Sequence, residues 1–245
     1  MNEQLEHKRH TLAHLLAAAV LQEYPHAKLT LGPAIDTGFY YDIDFSAGET
    51  PGDDDLKSIQ KHMRKILSHW TAFEHREVST EEARELFADN PFKLELVEEI
   101  TAKGEAVTLY TAGAGTKAEF TDLCRGGHTE NPAEAIPADS FKLDKIAGAY
   151  WRGDESRPML TRIYGLAFDS GEELKAYETQ LAEAKKRDHR KLGKELGLFS
   201  FSELVGPGLP LWSAKGTALR TRIDDFVQEL RAAKGYENVT IPHIA

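Results

Sequence analysis

Asp122-Leu123-Cys124-Arg125-Gly126-Gly127-His128 holds the only cysteine among 245 residues, with an acid two positions before it and a histidine four after it. The two glycines allow a sharp backbone reversal, which lets a thiolate and an imidazole point toward one spot. A second half of that spot lies near the start of the chain. His10 and His14 are spaced i, i+4, so a helix through them places both imidazoles on one face. Two histidines from a helix, with a cysteine and a histidine from a loop, make four donors. Such a set holds a tetrahedral metal or activates a water without one.

The segments around this constellation predict an α+β fold. Residues 3–24 read as a helix ended by Tyr24-Pro25. Leu12, Leu15, Leu16 and Ala19 fall on one side of it, and His10, His14, Ala17 and Leu21 on the other. A helix apolar on both sides is buried, so the histidine side should face an interior cleft. Leu29 to Leu31 and Gly38 to Phe45 suggest strands joined by a turn at Gly32-Pro33, followed by an acidic loop from Ser46 to Asp55. A helix from Asp54 to Trp70 and a strand from Phe73 to Val78 come next. The capping box Ser79-x-x-Glu82 opens a helix that Asn90-Pro91 ends. Phe92 to Lys103 is helical and stops at Gly104, after which Ala106 to Thr111 and Glu119 to Leu123 are strands delivering the Cys124 loop. Beyond the polar excursion Thr129 to Ser140, strands recur at Lys142 to Trp151 and Pro158 to Phe168. Strands and helices interleave without regular βαβ spacing, and no internal repeat is visible.

Ser170-x-x-Glu173 is a second capping box, opening a long helix to Leu196. Within it Arg187, Arg190, Lys191 and Lys194 lie at offsets 0, 3, 4 and 7, forming one basic stripe. Val205 to Pro210 reads as a boundary loop, Ala214 to Ala233 as a helix and Val239 to Ile241 as a strand.

Composition narrows the function classes. Thirty Lys and Arg against forty Asp and Glu give a net charge of −10, which argues against a surface built mainly for phosphate backbone. Any RNA contact must therefore be local. A single cysteine makes no internal disulfide, so nothing demands an oxidising compartment, and the cytoplasm is expected. The apolar run Leu15 to Leu21 is too short to span a bilayer and lacks a convincing cleavage region for a signal peptide. No membrane partner is expected.

Six motifs in order carry a resemblance: His10-x3-His14; Gly32-Pro33 leading to Gly38-Phe39-Tyr40-Tyr41-Asp42; Asp122-x-Cys124-Arg125-Gly126-x-His128; Ala147-Gly148-Ala149-Tyr150-Trp151-Arg152-Gly153-Asp154; Arg162-Ile163-Tyr164-Gly165; and Lys185-Lys186-Arg187-Asp188-His189-Arg190-Lys191. Alone, HxxxH is weak. Together these motifs are specific, and from His10 onward the chain resembles the N-terminal half of bacterial-type threonyl-tRNA synthetases.

That resemblance implies an editing domain over residues 1–168, of the second-additional-domain type shared with alanyl-tRNA synthetases. It implies a linker helix over 169–202 and the beginning of a class II aminoacylation core over 203–245. Carried over by position, the editing residues are His10, His14, Lys93, Asp122, Cys124 and His128, with Gly32 and Tyr41 binding substrate and Arg187 and Arg190 meeting tRNA. The implied reaction is hydrolysis of seryl-tRNA made in error, with the acceptor end of threonine tRNA as partner. A histidine would orient or deprotonate the attacking water, and Lys93 and the Gly126-Gly127 backbone would stabilise the carbonyl oxyanion. Asp122 would hold the substrate amine or orient an imidazole. Alanyl relatives favour zinc at His10, His14, Cys124 and His128, whereas threonyl editing sites are pictured without a metal, which is the expectation here.

Three departures stand out. Only nine residues precede His10, where the family commonly carries a small ubiquitin-like domain. Gly127 stands where the family usually has proline, an exchange expected to loosen the loop. The chain also stops before the ATP-binding motifs, the core's zinc ligands and the anticodon domain. An editing hydrolase without ligase activity is therefore expected, monomeric where the full-length family is dimeric. The alternatives are a free-standing trans-editing deacylase and a tRNA-binding remnant without activity. Taken singly, His7, His26, His62, His69, His75, His189 and His243 read as structural, and Lys93 as a solvated side chain.

Overall fold

The computed structural model describes residues 2–206 and 208–240. In chain order it begins with helix α1 (Glu3–Glu23), strands β1 (Lys28–Leu29), β2 (Ala34–Ile35) and β3 (Gly38–Asp44), helix α2 (Leu56–Leu67) and strand β4 (Phe73–Val78). Helices α3 (Thr80–Leu86) and α4 (Pro91–Ala102), strands β5 (Val107–Ala112) and β6 (Phe120–Leu123), and the short helix α5 (Pro132–Ala135) follow. Strands β7 (Phe141–Tyr150) and β8 (Met159–Ala167) and helices α6 (Gly171–Lys186) and α7 (His189–Glu195) come next. Strands β9 (Phe199–Ser200) and β10 (Leu211–Trp212) and helix α8 (Ala214–Ala233) complete the elements. The expected α+β class holds.

The chain divides into two compact units, one up to Tyr177 and the other from Glu178 on. In the first, antiparallel strands run in the order β1-β3-β8-β7, with β2 also paired to β3, and a separate antiparallel sheet runs β4-β5-β6. Helix α1 is buried from Arg9 through Val20 except at His10, and packs against β3 and α2, as its two apolar sides predict. Phe39, Tyr41, Ile43 and Ile163 point into this core with Leu12, Leu15 and Leu16. Trp70 anchors the second sheet to it, donating from Nε1 to the Ala118 carbonyl at 2.9 Å and stacking on Phe120. A β-bulge between Leu143 and Lys145 interrupts the β7–β8 ladder.

In the second unit, β9 and β10 pair as a hairpin beside α7 and α8. Among the described residues, no helix is long and apolar enough to cross a membrane.

Several local expectations change. Asn90-Pro91 starts a helix rather than ending one: α3 stops at Leu86, and Asn90 Oδ1 accepts from the amides of Phe92 and Lys93. Ser79 caps α3 through the Glu82 amide, but the Glu82 carboxylate pairs with Arg76, so the box is half made. The helix expected from Asp54 begins at Leu56 after a 3-10 turn, and the excursion after Thr129 contains α5.

The helix expected to run unbroken to Leu196 ends at Lys186 and restarts at His189. Asp188 causes the break: its carboxylate accepts from the Arg190 amide and starts a new helix. Arg187 is therefore not on one helix face with Arg190, Lys191 and Lys194, and the Arg190 guanidinium folds back onto Asp188 at 2.7 Å. Val239 and Thr240 form no strand, while Ile241, His243 and the remainder of the expected core segment's end lie outside the described residues, as does Pro207 in the boundary loop.

Candidate functional site

Two elements of the first unit meet as the HxxxH spacing predicts. Helix α1 presents His10 and His14, and β6 ends at Leu123, delivering Cys124 and the loop to His128. Gly126 and Gly127 have φ of 92° and 80°, left-handed values that the reversal requires. A proline ring cannot adopt the Gly127 value. The Gly127 carbonyl accepts from His10 Nδ1 at 3.3 Å.

The ligand atoms of His10, His14, Cys124 and His128 all lie within 4.8 Å of one another. His10 Nε2 is 3.2 Å from His14 Nε2 and 3.5 Å from Cys124 Sγ, and Cys124 Sγ is 3.2 Å from His128 Nε2. Phe73 stacks on the His128 ring at 4.1 Å between centroids and fixes its plane. Burial keeps the imidazoles neutral: it pushes His14 well below the ordinary histidine value, lowers His10 and brings His128 to about 2. Burial also raises the Cys124 thiol to about 11.

These donors fit a metal ion on their own hydrogen-bonding pattern. Because a carbonyl only accepts, His10 Nδ1 carries the proton and His10 Nε2 is a lone pair. His14 Nδ1 faces the Asp122 carboxylate at 3.6 Å. A proton there leaves a second lone pair on His14 Nε2 facing that of His10, whereas a proton on Nε2 sets a Nδ1 lone pair against the carboxylate. A cation between the rings relieves both conflicts. Backbone carbonyl and carboxylate partners on the outer nitrogens are also what metal-bound histidines typically have.

Beneath the histidines lies a buried polar triad. Lys93 and Asp122 are each 2% exposed, and Lys93 Nζ meets Asp122 Oδ1 at 2.5 Å. Tyr41 donates to Asp122 Oδ2 at 2.7 Å, and the Leu123 amide donates to Asp122 Oδ1 at 2.8 Å. Burial and the adjacent Asp122 carboxylate hold the Tyr41 phenol well above its usual range, so it stays a neutral donor. Lys93, which reads as solvated when taken alone, is an interior charge delivered by the α4 turn that Asn90 caps.

His10, His14, Gly32, Tyr41, Lys93 and Cys124 line a cavity of about 880 Å³, while Asp122 and His128 are not in its wall. Arg187 and Arg190 lie beyond Tyr177, in the second unit. His7, which reads as structural, also lines the cavity; its spacing to His10 and His14 was the available signal. Phe73 carried no such signal, since its role comes from a pairing distant in sequence, whereas Arg162, also in the cavity wall, stood in a motif of the resemblance without a role of its own.

Gly32 is required by close approach: a Cβ there would sit 2.2 Å from the Tyr41 ring. Tyr41 cannot yield, being buried and bonded to Asp122. Gly32→Ala is expected to destabilise the protein by about 1–3 kcal/mol, as overpacking does, read as a lower urea midpoint. An unchanged midpoint would show that the ring can move.

No family model matches the chain. It is 47% identical to the threonine–tRNA ligase of Gloeobacter violaceus over 245 residues, covering 99% of this chain and 38% of that protein. It is 47% identical to that of Rubrobacter xylanophilus over 237 residues, covering 96% and 35%. It is 48% identical to that of Dehalococcoides mccartyi over 241 residues, covering 98% and 39%. The chain thus spans well under half the length of the curated relatives it matches.

Proposed function

We propose, from the premise that nearly the whole chain is homologous to part of bacterial threonine–tRNA ligases, that its first 168 residues are an editing domain hydrolysing the ester of seryl-tRNA charged on threonine tRNA. Residues 169–202 would serve as linker and 203–245 as the start of a class II core. Threonine ligation, with its ATP and its dimer, would then rest with the length of the relatives that this chain does not cover. Serine lacks one methyl of threonine, a difference a binding pocket discriminates by only about 1–3 kcal/mol. A second, hydrolytic site removes what such a pocket lets through.

The observation that carries this proposal is the convergence of the His10 and His14 imidazoles, the Cys124 thiol and the buried Lys93 on one cavity, with His128 and Asp122 touching them from outside its wall. Neutral imidazoles are bases at pH 7. With no metal on their Nε2 atoms, His10 or His14, both in the wall, takes a proton from the attacking water, and Lys93 faces the oxyanion that develops on the ester carbonyl. Asp122 holds Lys93 and Tyr41 in place, and Tyr41 and Gly32 shape the wall against which the terminal adenosine rests.

Zinc is the metal this donor set suits. Neighbouring donors lie 3.2–3.5 Å apart and all four within 4.8 Å of one another. His10, His14, Cys124 and His128 would hold it, and a zinc that kept one of its positions open would supply Lewis acidity there. Metal analysis of protein purified without chelator decides occupancy.

The function is tested by measuring hydrolysis of seryl-tRNA and threonyl-tRNA, both charged on threonine tRNA. Serine-selective deacylation is expected. Equal cleavage would make the site an unselective esterase, and no cleavage with tRNA still bound would replace the proposal with a binding segment.

A further inference from the structure

We infer that the outer face of the β3–β8–β7 sheet is a stacking platform for the single-stranded RNA residues immediately 5′ of the one that enters the cavity. This deepens the proposed function and rests on it for the identity of the RNA. Across three strands, Tyr40, Tyr164 and Lys145 are in direct register. They share the face opposite Phe39, Tyr41 and Ile163, which point into the core. Tyr40 and Tyr164 lie 5.7 Å apart, the Arg162 guanidinium lies 3.9 Å from the Tyr40 ring centre, and Lys145 Nζ is 5.0 Å from that of Tyr164.

Strand alternation alone would not put Lys145 there. Phe141 and Leu143 point inward, so Lys145 would follow them into the core. The bulge between Leu143 and Lys145 inserts one residue and turns Lys145 outward beside Tyr164, while Ile146 takes the inward place against the core. On a chain of net charge −10, this is a local exception. Asp42 neutralises Arg162 through a bidentate pair at 2.6 and 2.8 Å and holds the guanidinium over the Tyr40 ring. Lys145 is exposed and can leave the Tyr164 ring for a phosphate, uncovering a face for a base.

Continuity fixes the occupant. Tyr40 and Arg162 line the same cavity as His10 and His14, so a strand whose end is in the cavity passes over this platform. Single-stranded RNA is bound in this way by aromatic and Arg planes carrying bases while nearby cations take phosphates.

The test measures binding of a fluorescein-labelled RNA tetranucleotide ending in CCA, and of adenosine alone, to the full chain and its variants. Tyr164→Leu with Lys145→Ala should weaken the tetranucleotide at least tenfold and leave adenosine within twofold. Tyr164→Trp, which keeps a π face, should retain binding, and the melting temperature checks the fold of each variant. Tetranucleotide affinity unchanged in the double variant, or no preference of the wild type for the tetranucleotide over adenosine, overturns the platform. Ester hydrolysis is not read here, so an inactive protein that loses the tetranucleotide in the double variant would refute the hydrolase and keep the platform. An active protein whose double variant binds as before would do the reverse.

Discussion

His10→Ala/His14→Ala is expected to abolish seryl-tRNA hydrolysis while the protein still folds and binds tRNA. Both rings line the cavity, and their Nε2 atoms lie 3.2 Å apart at the centre of the donor set. Removing a positioned general base lowers a rate by about 10²–10⁴-fold, and this variant removes both candidates together with half the metal ligands. The fold should tolerate the loss. Leu12, Leu15 and Leu16 keep α1 seated, and neither histidine has a protein partner whose loss strands a buried charge, since Asp122 keeps Lys93 and Tyr41. His14 is buried, so its removal leaves a cavity, and the milder His10→Gln separates packing from chemistry. His10→Gln should be nearly as inactive with an unchanged melting temperature. Serine release at the wild-type rate in both variants would remove the histidines from the mechanism, leaving Lys93 and the loop backbone to carry it.

Much of the site was legible because its signals are local. Spacing i, i+4 put His10 and His14 on one face, and adjacent glycines gave the reversal that returns His128 to Cys124. What escaped depends on partners brought together by the fold. Lys93 has the type of a surface residue, and its burial follows from Asp122 and Tyr41, far away in sequence. Asn90-Pro91 fits either end of a helix, and the side-chain bonds to Phe92 and Lys93 decide for a start. The basic stripe failed for a local reason: Asp188 offers the Arg190 amide a nearer acceptor than the helix backbone does. The bulge that turns Lys145 outward does leave a mark, since Asp144-Lys145 sets two polar residues in succession and shifts the apolar phase from Leu143 to Ile146, but that mark has a meaning only once the β8 partner is known.

Lys93→Met is expected to destabilise the protein by about 3–5 kcal/mol, the usual consequence of removing one member of a buried ion pair. Asp122 would be left 2% exposed with the Tyr41 hydroxyl and the Leu123 amide for partners and no counter-charge. The methionine itself fits, since it replaces the lysine stem with an apolar chain of similar length. The loss therefore comes from the stranded carboxylate, and a second substitution isolates it. Lys93→Met/Asp122→Asn removes the charge while the amide oxygen still accepts from Tyr41, and should recover most of the stability. Urea unfolding of the two variants measures the coupling directly. Recovered stability without recovered hydrolysis would separate the two roles of Lys93, because the double variant is folded yet has no cation facing the cavity. If Lys93→Met alone is as stable as the wild type, the pair is not what holds α4 against β6.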